Sequence, residues 1–555
     1  MHTIKKIFIF TLLLFAAFEM ARAQRDLGVR PTDSGGPLKF EQAVYDVRFY
    51  DLTLRVDPRS RSISGTSVMR AQIVIPTNVV LLDLDSPYKV ISVTDGAGKP
   101  LKFERAETTI RIFFPLTKQP GEEIETVIAY SGVPRIAPRP PWVGGFMWEK
   151  TASGADWVSV ALQNDGADLL FPCKDHPSDK PDGVAMHLTV PDPLVAVGPG
   201  RFESSVKNAD RTTTYNWRMT NPISNYSIVF NAAPYRAVSD RFRSIAGDDV
   251  PIIFYVLPEN EDKAPRLIEE TKKYIKFYEK YLGPYPFRLQ KLGIVETPHL
   301  GMEHSTAIAY GNKFRFDADG TDSLMLHEFG HEWWANLVTA ADWKDFWLHE
   351  GFQSFMDTLY QEYLHGRETY NKAMAARAKN FRNMQPVAPS EAKIAYQVYM
   401  AEPDYRRSDG DIYGKGAYIL HTLRYLIGDD AFFRALRRMA YPTPAMEKIT
   451  DGRQVRLVTT DDFLTIAEEE SGIKLDWFFS LYLRQPKLPK LISEISGNTL
   501  LLRWETPNNL PFPMPIDVVI NGKTQRVEMK DGAATIAFSG SPPIIDPAGL
   551  VLREL

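Results

Sequence analysis

Cysteine is almost missing from this chain: of 555 residues, only Cys173 carries a thiol. An intramolecular disulfide is therefore impossible, and stability has to come from packing, with a bound metal as the other available source. A dominant charge is missing too. Sixty-five lysines and arginines against 69 aspartates and glutamates leave a formal charge of −4, which gives no reason to expect nucleic acid or an acidic membrane as partner. Internal repeats and low-complexity tracts are absent. Beyond the first two dozen residues no segment is apolar enough to span a bilayer, so stable membrane insertion is not expected of the mature chain.

What is present begins with a targeting pattern. Lys5 and Lys6 precede an apolar stretch from Ile7 to Phe18, and Ala21-Arg22-Ala23 is a small-x-small cleavage site before Gln24. That is the layout of a secretory signal. The stretch is shorter than the roughly 20 residues of a spanning helix, and Glu19 ends it. Residues 1–23 are expected to be removed and the protein exported, either periplasmic or secreted.

A chain of this length exceeds one average core, so several domains are expected. After a flexible segment over 24–39, residues 40–242 carry period-two alternation. Leu52, Leu54 and Val56 alternate with Thr53 and Arg55, and Ile110 and Ile112 flank Arg111, the pattern of strands with one covered face. The proline-rich piece from Pro134 to Pro141 is too poor in donors for a central strand. From 243 to 483 the period becomes helical. Pro265 opens a helix with Leu267, Ile268, Thr271, Ile275 and Tyr278 near one face, Leu324 to Leu337 forms another, and Gly351 to Tyr363 a third. Residues 484–490 form a two-proline linker. Residues 491–555 return to short strands around an Asn521-Gly522 hairpin turn and are expected to form a small β sandwich. The fold class is multidomain α+β.

The most informative run is His327-Glu328-Phe329-Gly330-His331. Two histidines four apart lie on one helix face and can reach one tetrahedral ion, and the glutamate after the first is placed to take a proton from an activated water. A catalytic zinc needs a third protein ligand and an open fourth position. Glu350, separated from His331 by eighteen residues and lying in Trp347-Leu348-His349-Glu350-Gly351-Phe352, is the candidate, and His349 beside it is a rival. A closed structural zinc site would have four protein ligands and usually draw on cysteine, of which this chain has only Cys173.

These pieces resemble the gluzincin aminopeptidase family that includes aminopeptidase N and the bifunctional leukotriene hydrolase. The resemblance rests on the His-Glu-x-x-His signature, the eighteen-residue gap, the Trp-Leu-x-Glu-Gly-Phe segment, Gly301-Met302-Glu303-His304 and Tyr413-Gly414-Lys415-Gly416. It extends over roughly residues 40 to 555 and implies a β-rich N-terminal domain, a thermolysin-like zinc catalytic domain and the small C-terminal sandwich. It implies one zinc ion held by His327, His331 and Glu350, with Glu328 as general base and acid for attack of a zinc-activated water. Tyr413 would stabilise the oxyanion, and Glu303 would grip the free α-ammonium of a peptide. Gly301 and Met302 belong to the same substrate-binding segment. Gln163, ten residues before Cys173 in a segment resembling the family's N-domain rim, would line the amino-end pocket. The implied activity is zinc aminopeptidase and the implied partners are peptides with a free N-terminus.

The chain departs from the family pattern in three places. His304 and His349 stand where asparagines are usual, with expected effects on the first side-chain pocket and on the surroundings of the metal. The sequence given ends at Leu555, just after the sandwich and before any large helical domain, so a more open cleft is expected. A zinc endopeptidase on the same scaffold and a noncatalytic binding protein are the competing classes. Internal cleavage of N-acetylated peptides would favour the first of these.

Overall fold

The computed structural model describes residues 33–401 and 407–554. The expected signal peptide and most of the segment over 24–39 lie outside them. Among the described residues, no helix is long and apolar enough to cross a membrane.

The alternation in the N-terminal third folds into three sheets. The largest has seven strands, in which Tyr45–Asp57 lies between Gly183–Pro191 and Ser62–Ile73. Leu52, Leu54 and Val56 all point into its core, as period-two geometry requires. Tyr45–Asp57 runs parallel to Gly183–Pro191 but antiparallel to Ser62–Ile73. Ile110 and Ile112 are buried on the strand Thr109–Lys118 of a three-stranded sheet. The third sheet contains Asp156–Ala161, and Gln163 follows directly after it. Residues 134–141 lie outside the named strands.

The next sheet has five strands and begins at Arg236, a little before the boundary expected at 242/243. Arg236–Arg243 pairs with Asp249–Val256, and the order continues through Leu292–Glu296 and Ile308–Tyr310 to Gly301–Met302 at the edge. This two-residue edge strand pairs with Tyr310 and Ala309, and the Met302 carbonyl accepts the His304 N–H at 2.9 Å.

Three helices then frame the metal motif. Ala264–Leu282 buries Leu267, Ile268, Thr271, Ile275 and Tyr278, the apolar stripe legible in the sequence, and closes at Gly283 with φ 98°. Trp347–His365 carries Glu350. Between them, Ser323–Gly330 starts at Asp322, whose side chain accepts the backbone N–H of Met325. Gly330 explains one of the two unspecified positions in the motif. A Cβ there would sit 2.1 Å from Gln353 Oε1 and 2.2 Å from Tyr278 Oη, so only glycine lets both neighbouring helices close onto this one.

The metal-motif helix departs from the span expected, Leu324 to Leu337. Regular α-helix stops at Gly330, with His331 as its C-cap. The N–H groups of Asn336, Leu337 and Val338 bond carbonyls five residues back, and Ala335 takes φ 156°. The Nδ1 of His331 engages the carbonyl of Trp334 at 2.7 Å, and this side-chain bond competes with the regular ladder just beyond the helix end.

The C-terminal residues form two three-stranded sheets. Lys490–Ser496, Thr499–Glu505 and Ala533–Ala537 make one, and Lys523–Val527, Ile516–Ile520 and Ile544–Ile545 the other. Asn521 and Gly522 turn the hairpin with φ 50° and 76°, the left-handed pair that a two-residue turn of this type demands.

Candidate active site

The metal motif and the third-ligand helix converge. His327 and His331 lie one helical turn apart, and Glu350 comes in from the first turn of the neighbouring helix. The two Nε2 atoms are 3.3 Å apart, and Glu350 Oε2 lies 3.5 Å from each. A tetrahedron's edge is about 1.6 times its radius, so bonds of ~2.0–2.1 Å put ligand atoms about 3.3–3.4 Å apart. The observed triangle therefore has the size that one zinc ion requires. Among the described residues, the buried Glu350 Oε2 has no hydrogen-bond partner and faces only the two imidazoles at 3.5 Å, a costly arrangement unless a cation sits between them. The donor set and its size fit a single zinc.

The ring orientations are set from behind. His327 Nδ1 lies 2.8 Å from Asp357 Oδ2, and His331 Nδ1 lies 2.7 Å from the Trp334 carbonyl. Each acceptor holds a proton on Nδ1 and turns the Nε2 lone pair toward the shared point. Asp357 is in turn held by Gln353, whose Nε2 also reaches Tyr278 Oη at 2.5 Å. Replacing Asp357 by asparagine should weaken zinc binding about 10–100-fold while leaving the fold intact. A competitive chelator titration alongside a thermal melt checks this, and unchanged affinity would remove Asp357 from the metal's support.

His349 takes no part in the ligand triangle. Its Nε2 accepts the backbone N–H of Ala340 at 2.9 Å, and burial drives its pKa down to about 3, so it is a neutral packing histidine. His304 is fully buried edge-on against His299, with ring centroids 6.5 Å apart. Burial, reinforced by His299, holds it well below the usual imidazole range.

Glu328 and Glu303 occupy the other side of His331. A ligand atom from each of Glu303, Glu328 and His331 falls within 4.8 Å of the other two. Gln163 donates its amide to Glu303 Oε1, the Tyr226 hydroxyl reaches the same oxygen at 3.1 Å, and the Asn336 amide fixes the Glu303 carbonyl at 3.0 Å. Gly301 earns its place by closeness, since a Cβ there would lie 2.6 Å from Glu328 Oε1. Met302 is buried beside it on the edge strand. Tyr413 enters from the start of the helix Gly414–Ile427, its ring stacked at 6.5 Å on that of His327.

The charges explain one another. Burial lifts Glu328 to about 8, opposed by His327 and assisted by Glu303. Burial also raises Glu303, while His331 pulls it down and Glu350 pushes it further up. At Glu350 burial works upward, but His331 and His327 outweigh it and hold the group well below the usual carboxylate range. Burial opposes a charged His331, yet Glu350 prevails and lifts it to about 9. The imidazoles are thus proton sites that a divalent cation would compete for, and its binding would release protons.

Every site residue predicted from sequence, including Gln163 from the N-terminal region, falls in this one neighbourhood. Tyr226 and Asp357 were not predicted. Asp357 had a signal, because it stands seven residues after Glu350 on one helix and so shares its face. Tyr226 sits in a short 3₁₀ turn, Asn225–Ser227, whose sequence marks nothing.

A mixed fold with a His-Glu-x-x-His site and a glutamate third ligand defines a zinc peptidase of the gluzincin type. Comparison with known proteins agrees. The Peptidase family M1 domain matches residues 266–482, and the Peptidase M1 N-terminal domain matches residues 47–227. The chain belongs to peptidase family M1. It is 23% identical over 487 residues to Tricorn protease-interacting factor F2 of Thermoplasma acidophilum, covering 81% of this chain and 56% of that protein. To endoplasmic reticulum aminopeptidase 1 of Homo sapiens it is 26% identical over 408 residues, covering 69% of this chain and 40% of that protein. The chain therefore spans about half the length of the curated relatives it matches. Among solved structures, an M1 zinc metallopeptidase of Deinococcus radiodurans superposes with a TM-score of 0.64 at 22% identity, covering 82% of this chain and 96% of that one. A structure of that metallopeptidase bound to a Tyr-Ser-Ala substrate gives a TM-score of 0.63 at 23% identity, covering 80% and 95% of the two chains.

Proposed function

We propose that this protein is a zinc aminopeptidase that removes one residue at a time from peptides with a free N-terminus. The observation that carries the reading is the buried Glu303 carboxylate, held by Gln163 and Tyr226 within 4.8 Å of the ligand atoms of Glu328 and His331. A buried carboxylate whose charged form burial disfavours is suited to a cationic partner, and an α-ammonium supplies one. Docking the terminus there limits the reach to the first peptide bond, since only that carbonyl comes over the metal triangle. Gly301–Met302, the edge strand of its sheet, would lie alongside the extended substrate.

His327, His331 and Glu350 would hold the zinc, which would supply Lewis acidity to polarise the carbonyl and acidify the attacking water. Glu328 takes a proton from the water as its oxygen bonds to the carbonyl carbon, and returns that proton to the amine nitrogen as the C–N bond breaks. Tyr413 donates its hydroxyl proton in a hydrogen bond to the oxyanion that forms on the former carbonyl oxygen. That the Deinococcus relative was solved with a tripeptide supports a short-peptide substrate.

Glu303→Ala tests the reading. It should cut kcat/KM on free peptides by about 10²-fold or more, as expected when a buried charge partner is lost, and should have little effect on slow cleavage of N-acetylated peptides. An equal effect on both would remove the ammonium from the account.

Export forms part of the same proposal, supported by Lys5, Lys6, the apolar stretch after them and Ala21-Arg22-Ala23. N-terminal sequencing of cell-derived protein should start at or near Gln24, in the periplasm or the medium. A cytoplasmic protein that retains Met1 would refute it.

A further inference from the structure

Tyr413 has a hydroxyl neighbour that the reaction above leaves without a task. Tyr399 Oη lies 3.4 Å from Tyr413 Oη, and the two rings meet at 6.4 Å with a 45° tilt. No local pattern links the two residues, which stand fourteen apart. A separate segment carries Tyr399 to this spot, and that segment is tied down on several sides. The short helix Ala395–Tyr399 begins with the Ala395 N–H on the Ser34 carbonyl at 2.9 Å. Gln385 holds the Val398 carbonyl at 2.9 Å. The Tyr399 carbonyl accepts the Asp409 N–H at 2.8 Å, and its ring packs edge-on against Phe346 at 5.8 Å. Phe346 caps the helix that presents Glu350. Tyr399 is therefore fixed relative to the metal ligands by contacts that do not involve Tyr413.

We propose that Tyr399 is a positioning residue for the oxyanion donor: its hydroxyl donates to Tyr413 Oη, leaving the single Tyr413 proton to point at the substrate oxygen. A phenol has one proton and two lone pairs, so accepting from Tyr399 occupies a lone pair and disfavours the rotamer in which Tyr413 turns its proton toward Tyr399. Two hydroxyls in series also polarise one another, which makes Tyr413 the stronger donor as charge grows on the substrate. The alternative direction, Tyr413 donating to Tyr399, would spend the catalytic proton on a bond that does not help the transition state.

The inference rests on the aminopeptidase reading and on the role given there to Tyr413, and a double-mutant cycle separates the two. Tyr399→Phe keeps the ring and its contact with Phe346, so the melting temperature and zinc content should stay at wild-type values. Its kcat should fall about three- to tenfold with KM within twofold, the size of one neutral hydrogen bond. In a Tyr413→Phe background the same change should cost nothing further, because the hydroxyl it serves is gone. A kcat loss that persists in that background overturns the proposal, as does a rise in KM with kcat untouched, which would mean that Tyr399 meets the substrate directly. Unchanged kinetics in Tyr399→Phe overturn it as well. If Tyr413→Phe itself leaves kcat unchanged, it is the assignment of Tyr413 that fails. Should Tyr399→Phe melt early, Phe346→Leu supplies the packing control: it disturbs the same contact and retains the Tyr399 hydroxyl, so an equal kcat loss in both variants would assign the effect to packing and overturn the proposal.

Discussion

Glu328→Gln should bind zinc at close to one equivalent per chain and lose about 10²–10⁴-fold in turnover, the usual worth of a positioned general base. The substitution conserves shape, which matters because Gly301 leaves no space beside this carboxylate. The amide is also neutral at a position where burial already pushes the carboxylate up to about 8, so the folded state should be no less stable than wild type. Metal content, a thermal melt and turnover on an aminoacyl arylamide, measured on one preparation, distinguish the outcomes. Low activity together with lost zinc would point to a disturbed ligand triangle. Near-normal turnover in a zinc-loaded variant would deny Glu328 its part in proton transfer.

The second large effect is expected at Tyr413. Removing its hydroxyl by Tyr413→Phe should lower kcat about 10²–10³-fold, the measured worth of one oxyanion donor in comparable sites. KM should change little, since the donor acts on charge that exists only beyond the ground state. The ring remains stacked on His327, and its backbone still begins the helix Gly414–Ile427. kcat and kcat/KM should therefore fall together. A raised KM with a normal kcat would recast Tyr413 as a substrate-binding residue.

The parts of this site legible in the sequence are those fixed by short-range geometry. Two histidines four apart, followed by a glutamate after an eighteen-residue gap, specify a helix–loop–helix pair whatever the rest of the fold does. Strand alternation around Leu52–Val56 and the Asn521-Gly522 turn were readable for the same reason, because pleat and turn sterics act within a few residues. Gln163 and Tyr413 became legible only through resemblance, since their roles depend on elements far apart in the chain. Tyr226 and Tyr399 stayed hidden because each is one aromatic among many, delivered by long-range packing. The metal-motif helix illustrates the limit from the other side. Periodicity continues past Gly330, but the His331 bond to Trp334 and the bonds from Asn336 to Val338 replace the regular ladder, a tertiary demand that periodicity does not encode.

The central claim is that a free amino end decides which bond is cut. The most direct measurement follows one peptide and its N-acetylated twin through a time course with the zinc-loaded enzyme, reading every product by mass. The account predicts a ladder of products from the free peptide, each one residue shorter at the N-terminus, and an N-acetylated twin that stays largely intact. Internal fragments appearing at equal rates from both peptides would contradict it.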